Sequence, residues 1–77
     1  MIIVSQNKKI IVNFDRVIYI SVGKDEDSEM MDVICYSEIG GYIVLGSYDT
    51  NERASEVLDS IVNSVGLKMY KYQMPKK

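Results

Sequence analysis

Three short apolar runs decide the fold of this chain: Val17-Ile18-Tyr19-Ile20, Val33-Ile34-Cys35-Tyr36 and Tyr42-Ile43-Val44-Leu45. Each run places large side chains at both odd and even positions, whereas a strand with one face in water alternates apolar with polar residues. The runs therefore predict a sheet that is apolar on both faces. One helix can cover only one face, so we expect a second copy of the chain, a ligand or another partner to cover the other.

The single helix is predicted over residues 50–65. Its apolar residues recur at the spacing that forms one stripe along an amphipathic helix: Ala54, Val57, Leu58, Ile61, Val62 and Val65. Asp49 or Thr50 can cap the start, and Gly66 stands where a left-handed residue ends a helix. The stripe predicts that the helix packs against one face of the sheet.

The other segments complete an α+β fold in a single domain, residues 1–77. We expect a small antiparallel β-meander of five to six strands, opened by a hairpin, with the helix on one face and a final strand at Leu67–Tyr72. Gly40 and Gly41 can join two strands because glycine permits a positive φ. Gly46, inside the fifth strand, indicates a β-bulge or a close approach of another group to the backbone.

Strand parity separates the apolar strand residues into two sets, one for each face of the sheet. The set taken to face the helix is Ile18, Ile20, Ile34, Ile43 and Leu45. The opposite set is Tyr19, Tyr42, Val44 and Tyr48. The chain has six tyrosines but no tryptophan, and tyrosine suits interfaces and pockets because a polar tip ends a large apolar ring. We predict an oligomer interface at Tyr19, Tyr36, Tyr42 and Val44; the alternative is a monomer with an exposed tyrosine-paved sheet.

Composition and charge exclude several classes of protein. The net charge is −2 and the nine basic residues are scattered, whereas proteins that bind nucleic acid directly concentrate lysine and arginine on one surface. The apolar runs are too short to span a bilayer, and the start lacks the pattern of a signal peptide, so we expect a cytosolic protein. One cysteine without any histidine excludes an internal disulfide and predicts no structural zinc site.

The residues of this chain do not predict catalysis. Without histidine, the candidate general bases are carboxylates, and no spacing pairs two of them as acid and base. Cys35 has apolar neighbours and no histidine to activate it, so we expect a buried core residue. No glycine-rich phosphate loop is present. We therefore expect a protein that is not an enzyme and needs no cofactor.

One group of residues favours a small anionic ligand. Arg53 falls in the first turn of the predicted helix, where free N–H groups and the helix dipole attract anions. We predict a ligand site at Arg53, Thr50, Asn51, Arg16 and Tyr48, in which arginine binds a phosphate and a tyrosine stacks on a base. The alternative is that Arg53 only pairs with Asp49 or Glu56 on the helix surface.

Four segments carry a resemblance to known proteins: Ser5-Gln6, Ile11-Val12-Asn13-Phe14, the stretch from Leu45 to Leu58, and Tyr72-Gln73-Met74-Pro75. With these segments the chain resembles a group of short, mostly uncharacterised proteins of Gram-positive bacteria and their phages. The resemblance covers nearly the whole chain and implies no defined site. It implies a mobile-element context, in which small non-catalytic proteins act in the host cytoplasm by binding.

Two functions follow as expectations, together with a third possibility. The first is a homo-oligomeric phage counter-defence factor that sequesters a nucleotide immune signal. The second is a protein inhibitor that blocks a host defence protein, such as a nuclease complex, through an apolar patch or the acidic segment Asp25–Glu29. The third is a purely structural or regulatory dimer.

Overall fold

The computed structural model describes residues 1–24, 26–38 and 40–77. One helix and six strands follow one another along the chain, with a short 3-10 helix (Phe14–Arg16) between the second and third strands. The elements are β1 (Ile2–Val4), β2 (Ile11–Asn13), β3 (Val17–Lys24), β4 (Met31–Ser37), β5 (Tyr42–Tyr48), α1 (Asn51–Gly66) and β6 (Lys71–Gln73). The predicted α+β class, with one helix and a final strand, is confirmed. No helix among the described residues is long and apolar enough to cross a membrane.

The six strands form two three-stranded sheets. In the larger sheet β3, β4 and β5 follow one another as an antiparallel meander, and in the smaller sheet β1 lies between β2 and β6. The predicted opening hairpin is β1–β2, whereas β6 pairs parallel with β1. The final strand is shorter and later than the predicted Leu67–Tyr72. It joins the first strand rather than the meander.

The core lies between α1 and one face of the larger sheet, and it is extended by buried Ile3 and Val12 of the smaller sheet and by Met74. The register places Ile20, Cys35 and Ile43 beside one another on this face, and α1 contributes buried Ala54, Val57 and Ile61. Of the set predicted to face the helix, Ile34 is wrong, because it pairs across the strands with Ser21 and Val44 on the outer face. Ile18, which was expected to face the helix, lies at a break in the β3 register and is 60 % exposed.

A β-bulge at Gly46 explains the second error, which concerns Tyr48. The register of β4 against β5 shifts between Val33 and Ile34, so that Leu45 and Gly46 together oppose Val33. One extra residue in a strand moves every later side chain of that strand to the opposite face of the sheet. Tyr48 therefore points into the core, where it is 1 % exposed. The two predicted reasons for glycine both hold, since a Cβ at Gly46 would lie 2.9 Å from Tyr48 Oη and 3.1 Å from Gln6 Cβ.

The N-cap of α1 agrees with the prediction, whereas the residue that ends the helix differs from it. Thr50, rather than Asp49, is the N-cap residue: its Oγ1 accepts a hydrogen bond from the Arg53 N–H at 3.0 Å. Gly66 was predicted as the left-handed terminator, but it is the last helical residue, and the positive φ of 57° belongs to Lys68. The Lys68 N–H donates to Val65 O and the Met69 N–H to Ser64 O, which is the Schellman arrangement.

Candidate functional site

The side chain of Arg53 points from the first turn of α1 toward the end of the chain. Its Nε and Nη2 both donate to the main-chain oxygen of Lys77, at 3.0 and 2.9 Å. Its Nη1 lies 3.6 Å from Glu56 Oε1, as the surface-pairing alternative predicted, and its Cζ is 6.0 Å from the centroid of the Tyr48 ring. The guanidinium therefore presents the two-pronged geometry with which arginine binds carboxylates and phosphates, and an oxygen of this chain occupies it.

Three side chains from three parts of the fold bind successive main-chain oxygens of residues 75–77. Tyr48 Oη donates to the oxygen of residue 75 at 2.9 Å, Gln6 Nε2 to that of residue 76 at 2.9 Å, and Arg53 to that of residue 77. We call this arrangement the tail clamp. Gln6 is itself fixed to β5, because its Oε1 accepts from the Ser47 N–H at 2.8 Å and its Nε2 also donates to Ser47 O at 3.0 Å.

The tail clamp forms one side of a cavity of about 620 Å³, which we call the Arg53 cavity. Its volume is within the range of small-molecule sites, roughly 300–1,000 Å³. The lining residues are Gln6, Met30, Ser47, Tyr48, Asp49, Arg53, Lys76 and Lys77. Three of them are cationic and only Asp49 is anionic, so this cavity concentrates positive charge in a chain whose net charge is −2. Lys76 and Lys77 were not among the predicted ligand residues, because no local pattern indicates that residues 76 and 77 lie beside the start of the helix.

Tyr48 forms the inner wall of the Arg53 cavity rather than an exposed ring. Burial raises the pKa of Tyr48 to about 12, the charge of Tyr72 adds to this shift, and Arg53 opposes it. The hydroxyl stays protonated at neutral pH and donates to the tail. Tyr48 can therefore shape the cavity and hold the clamp, but its face is covered and is not free for stacking on a base within a single chain.

The predicted ligand residues do not all come together. Thr50 uses its side chain as the helix cap, and Asn51, the first helical residue, is exposed. Arg16 lines a different cavity, of about 380 Å³, together with Tyr42, Gly40 and Gly41. Its Nη1 is 3.9 Å from Glu38 Oε2 and its side chain is 76 % exposed. Only Arg53 and Tyr48 of the predicted set line the Arg53 cavity.

The four predicted interface residues do lie together, on the outer face of the larger sheet. The register aligns Tyr19, Tyr36 and Tyr42 across the three strands. The rings of Tyr19 and Tyr36 stack at 4.3 Å between centroids, and those of Tyr36 and Tyr42 are tilted at 6.2 Å. Val44 lies beside them, and Ile34, which the parity argument had assigned to the core, is on the same face. We call these five residues the tyrosine face; Tyr19 and Tyr42 are 54 and 68 % exposed.

A second apolar surface lies where α1 crosses β3. We call it the β3–α1 groove, a concavity of about 390 Å³ lined only by apolar and aromatic residues. Val62 and Val65 belong to the predicted helix stripe, but they are 64 and 47 % exposed. They extend past β3, which is the last strand of the sheet on this side. Tyr19 lines the groove as well as the tyrosine face. The sequence indicated this groove only through the width of the stripe, because six apolar residues over three turns are more than the sheet covers.

The remaining chemistry-bearing residues are in structural positions. Cys35 is 3 % exposed, and burial raises the pKa of its thiol. Asp32 accepts a hydrogen bond from the Ser47 hydroxyl at 2.6 Å across β4 and β5. In the described parts of the chain, no three side chains of the metal-ligating types are grouped so as to hold a metal ion. The acidic segment is described except for Asp25, and its Glu26, Asp27 and Glu29 are exposed.

Comparison with known proteins finds no relative. No protein-family model matches the chain, and neither the curated proteins nor the solved structures include a significant match.

Proposed function

We propose that this chain is a non-catalytic, homo-oligomeric binding protein that sequesters a small nucleotide-type ligand. The observation that carries the proposal is the Arg53 cavity, where the fork of a guanidinium and two lysines line a volume suited to a nucleotide. A phosphate would find there both point charges and a two-pronged donor.

The ligand would replace the chain's own oxygen at Arg53. A hydrogen bond with an ionised donor or acceptor is roughly twice as strong as one between neutral groups, and a phosphoryl group brings more negative charge to the guanidinium than a single main-chain oxygen does. A phosphoryl group therefore competes effectively with the main-chain oxygen of Lys77, which Arg53 holds at 2.9 and 3.0 Å. Lys76 and Lys77 are exposed, so their charges can follow the ligand when the tail is displaced.

Self-association is supported by the surfaces that remain uncovered. The tyrosine face and the β3–α1 groove both expose large apolar side chains on a chain of 77 residues, and domains of this size are marginally stable alone. The counter-defence role rests on the resemblance to short proteins of Gram-positive bacteria and their phages. In that role the protein would lower the concentration of a nucleotide immune signal in the host cytoplasm.

Native mass spectrometry of protein purified from its host tests this proposal. We expect an oligomer that carries a few hundred extra daltons per site, the mass of a nucleotide. Calorimetric titration with ADP and with a cyclic dinucleotide then compares two variants of the only arginines. Arg53→Glu should abolish binding without changing the oligomer, and Arg16→Glu, which alters the arginine of the other cavity, should leave binding unchanged. Lys9→Glu, at an exposed residue that lines neither cavity, is the matched control for a reversed surface charge. Loss of binding in Arg16→Glu alone would move the site to the other cavity, and no binding by wild type would refute sequestration.

A protein inhibitor is the second candidate, and the exposure of the tyrosine face favours it. Tyr42 is 68 % exposed, and tyrosines are common among the residues that dominate protein interfaces. If the target binds there, Tyr42→Ser should weaken inhibition while Arg53→Glu leaves it unchanged. The reverse result would favour the nucleotide ligand.

A further inference from the structure

The strand β3 has an open edge. It pairs with β4 along one side, and no described strand of this chain pairs with its other side. The edge of β5, by contrast, is partly covered, because the Gln6 N–H donates to Leu45 O at 2.7 Å. An uncovered edge presents unpaired N–H and C=O groups, which are a template for another strand.

The side chains around this edge are apolar on both faces of the sheet. On the inner face the β3–α1 groove exposes Ile18, Val62 and Val65, at 60, 64 and 47 %. On the outer face Tyr19 is 54 % exposed and begins the tyrosine face. Strands at the edge of a monomeric protein are usually protected by charged side chains along their length, but β3 carries a charge only at its final residue, Lys24.

We propose that the partner at this edge is a second copy of the chain, which pairs antiparallel with β3 about a two-fold axis. The two larger sheets would become one six-stranded sheet, and the two β3–α1 grooves would close on each other. The inference rests on the homo-oligomer of the proposed function and specifies its interface. It also joins the two tyrosine faces into one surface with a Tyr19 from each copy at its centre.

The charges at the two ends of β3 are complementary in this arrangement. Arg16 precedes the strand, and Glu26, Asp27 and Glu29 follow it. A two-fold axis brings the beginning of each β3 beside the end of the other. The exposed guanidinium of Arg16, which lies 3.9 Å from Glu38 in its own copy, then lies near the acidic segment of the second copy, whose three described carboxylates outnumber the single Lys24 that ends the strand. A parallel pairing would instead place like charges together.

The size of the edge is adequate for a reversible dimer. Eight residues at about 3.3 Å each make an edge about 26 Å long. With the 20 Å shortest extent of the molecule as its depth, each copy contributes roughly 500 Å², or about 1,000 Å² in total. That value is near the lower bound for a specific interface, so we expect a dimer that dissociates on dilution.

Sedimentation equilibrium and light scattering from about 1 µM to about 1 mM test the interface. Wild type should approach twice the 8.8 kDa of one copy. Ile18→Lys and Val62→Glu should each raise the dimer dissociation constant by about tenfold or more. The matched controls are Ile11→Lys and Leu67→Glu, whose side chains are 65 and 75 % exposed and do not line the groove. Each control should change the constant by less than about twofold. Circular dichroism verifies that every variant is folded.

Amide hydrogen exchange gives a second measurement that does not depend on variants. The β3 amides that point away from β4 should be protected at high protein concentration and exchange freely when diluted. A monomeric wild type would overturn both this inference and the homo-oligomer of the proposed function. A dimer that survives Ile18→Lys and Val62→Glu but is lost in Tyr42→Lys would overturn this inference alone, because the copies would then meet through the tyrosine face. A dimer with unprotected β3 amides would overturn it also.

Discussion

Replacing Gly46 by alanine tests the packing at the β-bulge. The φ of Gly46 is not positive, so alanine is compatible with its backbone, and the new methyl group is the only source of strain. That methyl would lie 2.9 Å from Tyr48 Oη, 3.1 Å from Tyr48 Cε2 and 3.1 Å from Gln6 Cβ. Tyr48 is 1 % exposed and its hydroxyl is bound to residue 75, so the ring cannot swing into water.

The expected cost follows from three terms. An extra methyl group in a packed core costs about 1–3 kcal/mol. Moving Tyr48 also disturbs its 2.9 Å hydrogen bond to Pro75 O, and a lost hydrogen bond costs about 1 kcal/mol. The reduced freedom of the unfolded chain offsets about 0.4–1 kcal/mol. We expect the free energy of unfolding to fall by about 2 kcal/mol, from roughly 4–12 kcal/mol for a domain of this length.

Urea unfolding followed by circular dichroism measures this loss. Gly66→Ala is the control, because no atom lies within 4 Å of its added Cβ and alanine favours a helix, so that variant should gain up to about 1 kcal/mol. Adding Tyr48→Phe to Gly46→Ala removes the closest contact, and the two losses should not add. If Gly46→Ala unfolds within about 0.5 kcal/mol of wild type, the packing argument is wrong.

Three further predictions concern titration, reactivity and backbone strain. Because the pKa of Tyr48 is raised from 10 to about 12 in the folded protein, the unfolded chain loses this proton first, and the stabilisation is complete below pH 10 and lost as the pH rises through about 12. Urea unfolding between pH 9 and 12 should therefore show a steeper decline for wild type than for Tyr48→Phe, by up to roughly 2–3 kcal/mol; parallel profiles would contradict this. The buried thiol of Cys35, with its raised pKa, should react with a thiol reagent at least about a hundredfold more slowly in the native protein than in urea, and equal rates would show that the core opens readily. Lys68→Gly should stabilise the protein by about 1 kcal/mol, since glycine adopts the φ of 57° without strain; an unchanged unfolding midpoint would show that the lysine is not strained.

Local patterns were sufficient for most of the secondary structure. The apolar periodicity located α1 to within one residue at each end, and the apolar runs beginning at Val33 and Tyr42 lie within β4 and β5. Positive φ values at Gly40 and Gly41 confirm the predicted turn. The helix, the two strands and the turn are determined by residues only a few positions apart, so a short segment of sequence is sufficient to predict each of them.

Apart from the helix end at Gly66, the errors have one origin, which is contact between separate parts of the chain. Parity placed Tyr48 on the outer face because no sequence rule fixes which side of Gly46 absorbs the extra residue of a bulge. The helix stripe included Val62 because its width does not reveal where the sheet beneath it stops. Arg16 and Arg53, the only arginines, were predicted to share one ligand site, whereas the fold places them in separate cavities. The tail clamp depends on Gln6, which is 70 positions from Lys76, whose main-chain oxygen it binds.

The parallel pairing of β1 with β6 has a consequence for how the chain acquires its fold. Ile2 aligns with Lys71, so this contact closes a loop of about 70 residues, and such long-range contacts slow folding because a large loop must be ordered first. During synthesis the hairpin of β1 and β2 emerges early and remains without its third strand until β6 has left the ribosome. Until then the free side of β1 and the apolar Ile3 are unprotected. Each nascent chain is therefore most vulnerable to aggregation and to chaperone capture before β6 has been translated.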